Sequence, residues 1–146
     1  MATPQHIRRR ALQALYQLDA RGEADADAIL HAISEETDLS PRDCDKAMDL
    51  ALGAFRERLR ADEEINVLAP DWPSHRQPVI DRSILRLAHY EMVSGRSPPK
   101  AVVNECVELA KEFSTERSPA FINGVLDKIL KRVLAQASPA TETPAE

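Results

Sequence analysis

The sequence predicts an all-α protein, and three observations carry that expectation. Apolar residues recur at three-to-four spacing through most of the 146 residues, and no segment alternates at period two for long enough to make a strand. Aromatics make up 4 % of the chain and glycines number four, both low for a β-sandwich or barrel. The ten prolines fall between periodic segments, at their starts or in the tail, where proline punctuates helices instead of breaking them. A chain of this length buries about 70 % of its unfolded surface, so a core forms without metal or disulfides.

Each element follows from its own residues. The first helix runs from about Pro4 to Ala20, with Ile7, Ala11, Ala14, Leu15 and Leu18 on a buried face and Gly22 as the stop. Arg9, Gln13 and Tyr16 fall at i, i+4 and i+7 and form a polar strip on its other side. A short helix over about Asp25–Ser34 buries Ile29, Leu30 and Ile33. Ser40 is a good N-cap for the third, with Pro41 at its first position and Asp43 at its positive end. Its inner face carries Ala47, Met48, Ala51, Leu52, Phe55 and Leu59, and a weaker pattern continues through Ile65 and Leu68.

The Pro-rich stretch 69–78 divides the chain into two helical halves, about 1–68 and 79–137, within a single domain 1–137. Ile80, Ile84, Leu87, Ala88 and Met92 line the helix Val79–Val93. In the next, Val103, Cys106, Val107 and Ala110 point inward while Glu105, Glu108 and Glu112 point out. Ser118 and Pro119 open the last long helix, which buries Ile122, Val125, Leu126, Ile129 and Val133. The helical period passes straight through Asn123-Gly124, so close approach of another helix is expected at Gly124. The tail 138–146 has no apolar pattern and is expected to be disordered.

The chain offers little chemistry for catalysis. Its four histidines lie in separate segments with no metal-ligand spacing, and no glycine-rich phosphate loop follows a strand. Acidic pairs such as Glu35-Glu36 read as solvated helix ends. Cys44 and Cys106 form no CxxC pair and read as buried or half-buried thiols of a reducing, cytoplasmic setting, and no apolar run reaches membrane-span length. No catalytic residue, metal or cofactor is expected.

Charge placement is more informative. The net charge is -5, yet residues 1–18 hold Arg8, Arg9 and Arg10 and no acid, a balance of +3 that leaves -8 for the remainder. Cations near a helix N-terminus oppose its dipole, which points to an external polyanion. Arginine forks grip phosphates, and Tyr16 or Phe121 could add stacking. From the residues alone, a nucleic acid, a protein partner and an idle helix start all remain open.

Four blocks in order, RRRALQALYQLD, DRSILRLAHYEM, VVNECVELAKEFSTE and FINGVLDKIL, resemble the NusB family of bacterial transcription antitermination factors over roughly residues 6–133. The resemblance implies about seven helices in two packed small bundles, with no catalysis and no cofactor. It also implies pairing with the small-subunit ribosomal protein NusE, binding of boxA-type single-stranded RNA, and action on RNA polymerase in ribosomal RNA operons. Carried onto this chain, the implied RNA residues are Arg8, Arg9, Arg10, Gln13 and Phe121, and the implied partner residues are Tyr16 and Asp81. Two departures bear on affinity. Pro4, Gln5 and His6 replace a denser basic segment, and Arg117, a further RNA candidate, stands where some relatives carry an acid. A helical adaptor that binds protein and no RNA is the rival expectation.

Overall fold

The computed structural model describes residues 2–35 and 37–142, with side chains described as far as 137. Among these residues the chain forms seven α-helices and no strand: α1 (Pro4–Arg21), α2 (Ala26–Glu35), α3 (Pro41–Arg56), α4 (Arg58–Leu68), α5 (Val79–Val93), α6 (Pro99–Phe113) and α7 (Ser118–Glu142). Short 3-10 turns at Glu23–Asp25 and Ser74–Arg76 lead into α2 and α5.

The ends of the helices follow from local chemistry. Thr3 caps α1 reciprocally: its hydroxyl accepts from the His6 amide, and its own amide donates to His6 Nδ1, each at 3.2 Å. Gly22, at φ 88°, ends α1 in a conformation that side-chain-bearing residues rarely adopt. Ser40 caps α3 through the Asp43 amide, with Pro41 at the first position.

α5 is the central element, packing against α1, α3, α4, α6 and α7. A continuous hydrophobic cluster joins Leu15 and Leu18 of α1 to Ile84 and Leu87 of α5, Leu109 of α6 and Leu126 of α7. Each such fully buried aliphatic side chain contributes about 1.5–3 kcal/mol. The central position also buries polar groups on α5, among them Asp81, Arg86, His89 and Glu91, and each has a partner. Arg86, for instance, donates to Asp62 at 2.9 and 2.6 Å and to Asp19 at 3.0 Å.

Two expectations need correction. The third helix stops at Arg56 and restarts at Arg58, with Arg58 Nη1 donating to the Phe55 carbonyl at 2.7 Å. The break turns Ala61 and Ile65 inward and leaves Leu59, an expected core residue, 75 % exposed. α7 extends to Glu142, and residues 143–146 of the expected tail lie outside the described residues.

Gly124 is the second. A Cβ there would meet nothing within 4 Å, so no helix approaches it closely. Gly124→Ala should therefore stabilise the protein by about 0.5–1 kcal/mol through helix propensity alone. Chemical denaturation reads this directly, and a loss of stability would show that the glycine serves a contact.

Candidate nucleic-acid interface

The three arginines of α1 divide between interior and surface. Arg8 is 3 % exposed, with Nε and Nη2 each donating at 2.7 Å to one oxygen of Glu91. Its Nη1 donates to Gln5 Oε1 at 2.9 Å and to Glu105. Burial disfavours its charge, but Glu91 outweighs that penalty and the guanidinium is held still more firmly protonated. Arg8, expected to face RNA, is instead an internal tie between α1, α5 and α6. The same surroundings push the Cys106 thiol pKa up, by burial first and the Glu91 charge second, and the thiol is fully enclosed.

Arg9, Gln13 and Tyr16 are brought together as the sequence spacing predicts, and Arg10 joins them. They line a groove of about 860 Å³ whose other side includes Ile80 of α5 and Phe113 of α6. Arg9 Nη2 donates to both Glu112 oxygens, at 2.5 and 2.6 Å, and its guanidinium lies 5.9 Å from the Phe113 ring centroid. Arg10 Nη1 donates to Gln13 Oε1 at 2.7 Å. Tyr16 and Phe113 remain 44 % and 46 % exposed, a pair of aromatic faces open to a partner.

The other candidates gather around the start of α7. Arg117 is exposed and Phe121 is half-buried against the core, both outside the groove lining. Asp81, expected to face a protein partner, is buried: one oxygen accepts from the Ser114 hydroxyl and the other from Ser118 Oγ at 2.8 Å. Ser118 is thus committed to Asp81 and to its neighbours Ser114 and Thr115, and does not act as a free cap. Asp81 follows Ile80 in the chain, and Ser114 follows Phe113. The carboxylate consequently pins the groove wall to the loop that carries Arg117.

Ile80, Glu112 and Phe113 are site residues that sequence reasoning did not identify. Phe113 continues the inward stripe Val102, Cys106 and Leu109, but α6 ends there and the stripe runs beyond the core into the groove. Among the described residues no group of three or more His, Cys, Asp or Glu side chains could hold a metal ion, and no helix is long and apolar enough to cross a membrane.

Comparison with known proteins adds to this geometry. The model of the NusB family matches residues 5–131. The transcription antitermination protein NusB of Anaeromyxobacter dehalogenans is 39 % identical over 122 residues, covering 84 % of this chain and 86 % of that protein. The NusB of Streptomyces coelicolor is 43 % identical over 135 residues, covering 88 % and 93 %. Among solved structures, NusB of T. maritima superposes with a TM-score of 0.78 at 33 % identity, covering 90 % of this chain and 93 % of that one. A crystal structure of antitermination factors NusB and NusE in complex with double-stranded RNA superposes at 0.76 and 27 % identity, covering 88 % and 96 %.

Proposed function

Because the chain belongs to the NusB family, we propose that it is an RNA-binding transcription antitermination factor that pairs with ribosomal protein NusE. The pair binds boxA-type single-stranded RNA in ribosomal RNA operon leaders and helps RNA polymerase read through terminators. The reading contains no catalytic step, requires no cofactor and places the protein's work in the cytoplasm.

The groove supports it most directly. Arg9, Arg10 and Gln13 offer donors for phosphate and sugar oxygens beside Tyr16, Ile80 and Phe113, which offer apolar area to a protein. RNA and a protein partner can therefore share a continuous surface, with Arg117 and Phe121 extending its RNA side. Commitment of Arg8 to Glu91 removes one cation from that surface. Each phosphate contact fewer flattens the salt dependence by about 0.7 on single-stranded RNA, so the chain alone binds weakly and depends on its partner.

A gel-shift titration of boxA-type RNA tests this. The chain with NusE should shift the RNA at lower concentration than either protein alone, and Arg9→Glu should weaken the shift while helical circular dichroism is retained. Unchanged affinity in Arg9→Glu at low salt would favour the adaptor that binds protein alone.

A further inference from the structure

We propose that Glu112 sets the RNA affinity of this interface by occupying Arg9 as an internal substitute for an RNA phosphate. The inference rests on the RNA reading above and adds to it a competing anion within the chain. Arg9 reaches from α1 to α6 and places one guanidinium nitrogen against both Glu112 oxygens, at 2.5 and 2.6 Å. An RNA phosphate would compete for the same guanidinium nitrogen. The two side chains are 46 % and 40 % exposed, so water screens the pair and an incoming anion can replace it. Arg8 cannot make that exchange: although its second carboxylate partner, Glu105, is partly exposed, the guanidinium itself is 3 % exposed and is held by Glu91, which is buried with it.

Glu112 also differs from its neighbour on the outer face of α6. Glu108 is paired with Lys111 at 2.9 Å, within the same helix, and takes no part in holding an α1 cation. RNA binding at Arg9 thus requires displacing Glu112, and the released carboxylate takes up a counterion again. Both effects reduce affinity and salt dependence together.

The test is a double-mutant cycle with NusE present and boxA-type single-stranded RNA as the probe. Glu112→Gln should tighten binding about two- to five-fold, the range open to an exposed ion pair. It should also steepen the salt dependence by up to about 0.7. The gain should vanish when Arg9→Gln is combined with it, and Glu108→Gln should produce a smaller change than Glu112→Gln. Binding no tighter in Glu112→Gln, or a gain that persists without Arg9, overturns the proposal. Loss of the RNA reading itself looks different: the wild-type pair would fail to bind RNA, or Arg9→Gln alone would leave its affinity unaltered. Because these positions are exposed, a thermal melt of each variant confirms that the comparison is made between folded proteins.

Discussion

Arg8→Met should destabilise the protein by about 3–5 kcal/mol, although it replaces a charged residue with an apolar one of similar length. The reason is the partner left behind. Glu91 is 2 % exposed and receives two hydrogen bonds from Arg8 at 2.7 Å, with the Ser97 hydroxyl as a further donor at 3.2 Å. Removing the guanidinium leaves a carboxylate that must remain charged in an apolar interior or take up a proton. The double variant Arg8→Met/Glu91→Leu should recover much of the loss, because an apolar pair of similar volume can replace a buried ion pair. Urea denaturation of the three variants measures both effects. A loss below about 1 kcal/mol for Arg8→Met would mean that the arginine is not an internal tie and could serve the surface after all.

Gly53→Ala should destabilise by about 1–3 kcal/mol, against the usual gain of alanine over glycine inside a helix. The cause is Tyr90, whose phenol ring lies where a Cβ on Gly53 would stand. The ring is half-buried and carries the Arg96 guanidinium 5.1 Å from its centroid, so moving it disturbs packing between α3 and α5 as well as this contact. Shortening the ring should rescue the variant: Gly53→Ala/Tyr90→Leu should lose less stability relative to Tyr90→Leu than Gly53→Ala loses relative to the native chain. Equal losses in both backgrounds would assign the cost to something other than the ring. Gly53 and Gly124 both lie within helices, yet their alanine variants are expected to change stability in opposite directions.

Those two glycines show what the sequence makes legible and what it hides. Helical periodicity, Ser40 and Gly22 report local backbone preferences, so the helix order, most core positions and two helix ends are readable. Gly124 interrupts a helix pattern visibly, while Gly53 sits unobtrusively in LALGAF, and close approach depends on a side chain 37 positions away. The break between α3 and α4 is hidden for a related reason. Arg56 to Arg58 carry no proline or glycine, and the reversal of Leu59 from core to surface follows from how α4 meets α5 and α7.

The site divides along the same line. The strip Arg9, Gln13 and Tyr16 is set by helix geometry, and the structure places it in one groove. Arg8 and Asp81 are residues whose charge argues for the surface, although helix spacing sets Arg8 on the face of Ala11 and Leu15 and Asp81 on that of Ile84 and Ala88; the partners that let them be buried, Glu91, Ser114 and Ser118, come from elsewhere in the chain. Net charge cannot separate these cases. The +3 segment presents two surface arginines, Arg9 on Glu112 and Arg10 beside Gln13, and one internal tie.

Whether this groove joins a protein partner to RNA is read from RNA affinity with and without NusE under identical salt. Cooperative binding is the expected result: NusE lowers the concentration of this chain needed to retain boxA-type RNA, and the RNA equally strengthens the pairing of the two proteins. Pairing with NusE that leaves RNA affinity unchanged would contradict it and identify the groove as a protein-binding surface alone.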